Sequence, residues 1–530
     1  MTQSEIILIV VIAVYLLGML IVGILCSRDT KDVGDFYLGG RKLGPLVTAM
    51  SAESSDMSSY LLMGVPGLAY TTGIGEAGWT AIGLIIGTYL NWLFVSKRLR
   101  NYSVVANNSI TLPDFFKNRY KDNSNILLIV SAIAIIVFFV PYTASGFAAC
   151  GKLFNSLFGA NYYAALIISA VVIVGYTSTG GFLAASHTDF IQSIIMIIAL
   201  MAAVIFGVET AGGIDAVADN ARNLAGLVDL TKLHDNTVAG GSGSMDFGFF
   251  SIVTTLAWGL GYFGMPHILL RFMAINDPNK LKLSRRVATV WVTISLSVAV
   301  FIGIVGRAMT EEGKLKNLIM KGDEANSSTT AETLIVKLAH LMSDKGIFLL
   351  IILGGIILAG ILASTMSTAD SQLIAASSAV SENIIHDVFK IELNERKQMI
   401  IARLTLIVIS VIAVILALNP NSNVFTIVSF AWAGFGAVFG PVMLFSLFWK
   451  RTNKYGAIAG MISGGVMVFF WKFVIRPLGG VWNLYELAPA FLLACICIVV
   501  VSLLTPAPSE EIVAEFEEAK RISSNKTQEA

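Results

Sequence analysis

Ser51-Ala-Glu-Ser-Ser-Asp-Met-Ser-Ser-Tyr60, followed closely by Gly64-Val-Pro66-Gly67, lies inside an otherwise apolar run near residues 45–69. A run of that length can cross a bilayer, which takes about 20 apolar residues. Ten polar-rich residues inside it cannot face lipid, because backbone groups freed by a helix break find no partner in hydrocarbon. The stretch reads as a broken helix lining a cavity. Taken alone, Gly64 and Gly67 could serve close helix packing and Pro66 could be a tolerated kink. A second interrupted run tips the balance: Trp258-Gly-Leu-Gly-Tyr-Phe-Gly-Met-Pro266-His267 falls in the apolar segment near 247–272.

The rest of the chain supports a membrane setting. Of its 530 residues 55% are hydrophobic and 13% charged, with a formal net charge of +1, and the mean hydropathy is +0.76. Soluble domains carry about 25% charged residues. This composition excludes a disordered chain, a nucleic-acid binder and an ordinary cytosolic enzyme, and leaves a polytopic membrane protein. Cys26, Cys150, Cys495 and Cys497 lie in or beside apolar runs without metal-ligand spacing and read as small buried hydrophobes. No basic segment precedes the first apolar run, so it reads as a retained span rather than a signal peptide.

Spans are expected near 5–26, 45–69, 76–97, 126–152, 161–179, 188–208, 247–272, 285–308, 347–381, 398–418, 424–449, 454–474 and 488–505, about thirteen in all. Arg28, Lys31, Arg41 and Lys42 follow the first; Lys97, Arg98, Arg100, Lys117, Arg119 and Lys121 follow the third. Further basic groups at 280–286, 390–397 and 450–454 fall on the same side, which makes that side cytoplasmic. An odd span count then places the N-terminus outside and the tail from Pro506 inside. The long segment 309–346 is expected outside, with a short helix around 331–343. The two interrupted runs are five spans apart, so each opens a five-span unit, 45–208 and 247–449. Five is odd, so the second unit enters from the opposite side: inverted topology, with binding at the repeat interface. The expected organisation is one transporter domain over 1–505 and a cytoplasmic tail over 506–530.

Polar residues inside the spans carry the chemistry. Asp56 is costly at mid-membrane, by about 2.5–3.5 kcal/mol, and reads either as the cap of a half-helix or as a cation-path carboxylate. Glu53 lies three residues earlier. In Ser364-Thr-Met-Ser367-Thr368-Ala-Asp370-Ser371, positions 364, 367, 368 and 371 form one helical stripe of hydroxyls. Such hydroxyls either bond back to their own helix or, beside a broken helix, offer hard oxygen ligands to a cation. Asp370 flanks the stripe, and Asp189, at the start of the sixth span after Gly180-Gly181-Phe182, is either a cytoplasmic charge or part of the inner end of that path. Gly146-Phe-Ala-Ala-Cys-Gly151-Lys152 imitates a phosphate loop, but Leu153 follows where Ser or Thr is needed. No HExxH or Gly-x-Ser-x-Gly motif occurs, so no nucleophile or metal site of an enzyme is assembled.

Several segments resemble the bacterial sodium/proline symporters of the sodium:solute symporter family. They are Tyr37-Leu-Gly-Gly-Arg-Lys-Leu-Gly-Pro45, Ser55-Asp-Met-Ser58, Leu61-Leu-Met-Gly-Val-Pro-Gly67, Thr111-Leu-Pro-Asp-Phe115, Trp258-Gly-Leu-Gly-Tyr-Phe-Gly264, Pro266-His-Ile-Leu269 and Ser429-Phe-Ala-Trp-Ala-Gly-Phe-Gly436. The resemblance runs from about residue 10 to 505 and implies an all-α membrane protein with a LeuT-like five-plus-five inverted-repeat core. It implies a Na+ ion held by the carbonyls of Ser54, Met57 and Ser364 and the hydroxyls of Ser367 and Thr368. Asp56 matches an aspartate important for sodium, and Asp189 an acid on the inner path. Asp370 and Ser371 match the surroundings of a second ion in some members. Tyr60, Tyr142, Trp258, Tyr262 and Pro266 match solute-binding positions. The chain departs from the proline pattern at Glu53, Ser59, Tyr60 and Met265.

Together these readings predict a sodium-coupled symporter in the bacterial inner (plasma) membrane that imports a small zwitterion, L-proline first. The alternatives are another amino acid or a small carboxylate as solute, or a channel. The partners expected are the solute, Na+ and the lipid bilayer, with no nucleic acid and no enzymatic turnover.

Overall fold

Proline and glycine decide where the helices stop. In the computed structural model, residues 2–28, 30–235, 243–319, 327, 330–391, 393–419 and 424–524 are described. Among these, ten helices are long and apolar enough to cross a membrane: Gln3–Ser27, Ile74–Val105, Ile126–Asn155, Tyr162–Thr210, Pro278–Glu311, Phe348–Val388, Glu395–Leu416, Val424–Phe448, Lys454–Leu478 and Leu487–Leu504. The number differs from the thirteen segments read from the sequence for two physical reasons. The predicted spans 45–69 and 247–272 each divide into pieces too short to cross alone. The predicted spans 161–179 and 188–208 form one helical run, bent at Gly181 with φ 58° and ψ −148°. Only glycine fits that bend, since a Cβ there would lie 2.7 Å from Phe36.

The helices sort by burial into an inner and an outer set. The most apolar window of Val424–Phe448 is 83% buried and that of Phe348–Val388 is 67% buried, against 28% for Gln3–Ser27 and 22% for Lys454–Leu478. The outward faces expose Leu17, Val171, Ile205, Val466 and Leu504, an apolar surface that suits lipid. The inner set carries the polar residues.

Both interrupted runs are held by direct backbone contact. A Cβ on Gly87 would come 2.3 Å from the Gly259 carbonyl, and one on Gly303 would come 2.6 Å from the Pro66 carbonyl. Small residues let helix backbones approach in this way where no hydrophobic effect drives them together. The short helix expected around 331–343 is seen at Leu334–Asp344, while much of 320–329 lies outside the described residues. An antiparallel hairpin, Lys232–Asp235 with Gly243–Asp246, was not anticipated. The tail forms the helix Glu510–Ser524.

Candidate ion and solute site between two broken helices

The first break centres on Ser58, whose φ of 49° and ψ of −169° lie outside helical space. A non-glycine residue held there costs free energy and clusters at functional sites. The break ends the helix Pro45–Ser59; a wide turn over Tyr60–Gly64 follows, and the helix resumes as Val65–Thr72. The Tyr60 amide donates to Ser58 Oγ at 3.1 Å, a side-chain substitute for the lost ladder bond. The second break runs from Phe249–Leu256 through a tight turn at Ala257–Phe263. Pro266 then starts Pro266–Ala274, where its missing N–H costs nothing.

Opposite the first break stands the helix Phe348–Ser378, with Ser364, Ser367 and Thr368 all buried. Ser367 Oγ donates to the Ser54 carbonyl at 2.9 Å and lies 3.3 Å from the Ser364 carbonyl. Thr368 Oγ1 bonds the same Ser364 carbonyl at 3.1 Å. Four of the five predicted sodium ligands thus meet in one corner made of neutral oxygens. The fifth, the Met57 carbonyl, sits at the break and accepts the Tyr60 amide.

The stripe divides at Ser371. Its hydroxyl donates to Asp370 Oδ1 at 3.0 Å and accepts from Arg271 Nη2. Arg271 also pairs with Asp189 Oδ2 at 2.9 Å, and both side chains are almost wholly buried. Ser51 Oγ donates to that same Asp189 oxygen at 2.7 Å, while Arg271 Nε donates to Ser51 Oγ at 2.9 Å. Tyr176 donates to Asp370 Oδ2 at 2.7 Å. Asp189, which could have stood in a solvated loop, is therefore locked inside a charged cluster. Sequence reasoning missed Arg271, Ser51 and Tyr176. Arg271 had a visible signal, a lone cation near the end of an apolar run, where it reads as a snorkelling residue.

The predicted solute residues separate into two groups. Tyr60, Tyr142 and Trp258 line one cavity together with Asp56, Val428 and Trp432. Tyr262 and Pro266 are buried nearby but do not line it; the Tyr262 hydroxyl instead donates to Asp56 Oδ2. Trp258 is stacked on Tyr485 at 5.0 Å and on Tyr60 at 5.5 Å between ring centroids. Its carbonyl accepts Trp432 Nε1 at 2.8 Å. The cavity measures about 10 Å³, no more than one water needs, so this is a closed arrangement. Trp432 and Tyr485 come from distant stretches of sequence; Trp432 lies in the motif Ser429–Gly436, which does not mark it as a cavity residue, and nothing local announces Tyr485. Glu53 is buried and accepts Trp92 Nε1 at 3.0 Å, while its other oxygen has no hydrogen-bond partner.

Two broken helices flanking a closed cavity, with an oxygen-lined corner facing one break, define a membrane transporter of the inverted-repeat class. Solved structures agree on the fold. A Na+-coupled sialic acid symporter in an outward-open state aligns over 95% of this chain and 99% of its own, with a TM-score of 0.74 at 16% identity. The nucleobase-cation symporter Mhp1 in a closed conformation aligns over 91% and 98%, with a TM-score of 0.53 at 13% identity. The chain belongs to the sodium:solute symporter family, which residues 36–464 match. It is 39% identical over 503 residues to the osmoregulated proline transporter of Bacillus subtilis, covering 95% of this chain and 96% of that one. It is 39% identical over 514 residues to the sodium/proline symporter of Escherichia coli, covering 97% and 96%.

Proposed function

We propose that this chain imports L-proline, or a closely similar small zwitterion, together with Na+. The observation that carries the reading is the contact of Ser367 Oγ with the Ser54 carbonyl, which joins a helix of each repeat through oxygens that suit a hard cation. In this structure the Ser367 hydroxyl donates to the Ser54 carbonyl. When Na+ enters, that hydrogen turns away, and the Ser54 and Ser364 carbonyls with the Ser367 and Thr368 hydroxyls present lone pairs to it. The Met57 carbonyl completes the set. A cation there ties the two helices, so its binding favours closure over the solute. Trp258, Tyr60 and Tyr142 offer apolar faces to a pyrrolidine ring, and the half-helix that starts after the break at Ser58 offers N–H groups to its carboxylate.

Coupling is energetically sufficient. A zwitterion gains nothing from the membrane potential, whereas one Na+ gains about 2.3 kcal/mol per 100 mV. A tenfold sodium gradient adds about 1.4 kcal/mol, and the sum of roughly 3.7 kcal/mol supports accumulation on the order of 500-fold. Asp189, Asp370 and Ser371 belong to the ion's inner path, which opens once Arg271 releases Asp189. The repeats are 45–208 and 247–449. The protein lies in the plasma membrane with its N-terminus outside and the tail from Pro506 in the cytoplasm, as the Lys/Arg bias requires.

The test is uptake of labelled proline into proteoliposomes. An inward Na+ gradient should drive saturable accumulation above equilibrium, and mass analysis should recover the solute unchanged. Non-saturating flux that never exceeds equilibrium would indicate a channel, and accumulation independent of Na+ would remove sodium from the mechanism. Proline that fails to compete with another accumulated amino acid would overturn the choice of solute.

A further inference from the structure

The tail helix Glu510–Ser524 takes no part in the site described above, yet it is docked rather than free. Glu511 reaches Lys121 at 3.3 Å, Glu515 pairs with the same ammonium, and Glu517 reaches Lys450 at 3.7 Å. Asn101 Nδ2 donates to Ser523 Oγ at 3.1 Å. Between these contacts Phe516 is buried, with the guanidinium of Arg98 5.1 Å and that of Arg119 5.3 Å from its ring. Desolvated cations on aromatic faces are attracted to the ring quadrupole.

The same two arginines hold the end of Val424–Phe448. Arg98 stacks on Phe448 at 4.8 Å. Arg119 Nε donates to the Ser446 carbonyl at 3.1 Å, and Tyr120 pairs with Ser446 Oγ at 2.7 Å. Arg119 is fully buried, and its two terminal nitrogens have no hydrogen-bond partner, so aromatic faces are their main compensation. Withdrawing Phe516 removes one of those faces and weakens the grip on Ser446. The gripped helix also carries Trp432 and Val428, a wall of the closed cavity about 21–27 Å from Ser446 at 1.5 Å per residue. Tail docked and cavity closed occur together in this structure.

We propose that the C-terminal helix is an autoinhibitory latch. Docked in the socket of Arg98, Arg119 and Lys121, it clamps the end of Val424–Phe448 against the first repeat and keeps the solute cavity shut. Rising ionic strength on its own face releases it. The salt dependence follows from exposure: the Lys121 side chain is 35% exposed and that of Lys450 62%, whereas the Asp189–Arg271 pair is at most 1% exposed. Exposed pairs are screened by salt and buried ones much less so. The rate consequence rests on the transport reading above, but docking can be measured without any solute.

Full-length protein carrying Asn101→Cys and Ser523→Cys provides that measurement. Disulfide formation between the two should be efficient at low salt and about three- to tenfold slower at high salt. The oxidised protein in proteoliposomes should take up solute slowly, and reductant should restore the rate. In otherwise wild-type chains, Glu511→Gln/Glu515→Gln/Glu517→Gln and, separately, Phe516→Ala should raise uptake at low salt about three- to tenfold and remove its salt response. Lys121→Glu should behave alike, and adding Glu515→Lys should restore the slow, salt-sensitive behaviour. Salt-insensitive cross-linking would overturn the latch whatever the uptake. So would a triple variant with the wild-type rate and salt response, or uptake unaffected by the cross-link. Absent Na+-driven uptake with salt-sensitive cross-linking would overturn the transport reading instead.

Discussion

Two neighbouring turns of the helix Phe348–Ser378 solve the problem of buried polarity in opposite ways. One turn presents neutral oxygens alone: Ser367 meets the Ser54 carbonyl, while the Thr368 and Ser364 hydroxyls bond back to the Ser364 and Ile361 carbonyls of their own helix. The next presents Asp370 and Ser371, which join Asp189 and the fixed cation Arg271. A corner of neutral dipoles leaves room for a positive charge and gives it up again, because nothing inside balances that charge permanently. The charged cluster already contains its cation. In the proposed mechanism the cluster is the lock, and the neutral corner is the place for an exchangeable ion.

The largest expected effect tests the lock. Arg271→Ala leaves the Asp189 carboxylate buried and unpaired, which should cost about 3–5 kcal/mol of stability. Thermal unfolding in detergent should show it, and Arg271→Ala/Asp189→Ala should recover most of the loss. A single variant as stable as the wild type would mean that Asp189 carries no charge. Next comes the solute wall. Trp258→Ala should raise the apparent KM for solute about tenfold while moving that for Na+ far less. Equal losses in both, at normal expression, would make Trp258 a packing residue of the stack with Tyr485 and Tyr60. Asp189→Asn should slow uptake severalfold yet leave equilibrium Na+ binding nearly intact; abolished binding would move Asp189 into the primary ion site. The smallest effect belongs to Tyr176→Phe, which removes one hydroxyl donor from Asp370 at a cost of about 1 kcal/mol. A change in the number of Na+ ions per solute in that variant would make Asp370 a second ion site and blur the contrast between the two turns.

The parts of this architecture that were legible in sequence are those encoded over short range. A polar run inside an apolar span announced the first break, and Gly and Pro with paired spacing announced the second. The hydroxyl stripe followed from helical period alone, as did its position on one face. Periodicity says nothing about what stands opposite, however. It grouped Ser371 with Ser367, whereas Arg271 draws Ser371 into the charged cluster. Tyr262 matched a solute-binding position, and its pairing with Asp56 could not be read from the sequence. Trp432, Tyr485 and Tyr176 arrive from far along the chain, and in an apolar helix an aromatic reads as lipid-facing or packed until its neighbour is known. The number of continuous helices was hidden for a different reason: a single glycine bend joins two predicted spans, and two others are built from short pieces.

The central claim is that the neutral corner binds the coupling ion. Solute binding to purified Ser367→Ala/Thr368→Ala protein, titrated with Na+, tests it most directly. Both hydroxyls vanish while the helix keeps its propensity, so the Na+ concentration at half-maximal binding should rise by at least about tenfold. Solute binding should return at saturating Na+, because ion and solute affinities are linked by one reciprocal factor, commonly about 5- to 150-fold. Wild-type sodium dependence in the double variant would contradict the account: the stripe would then be helix packing, and the ion would belong at Asp370 or Glu53.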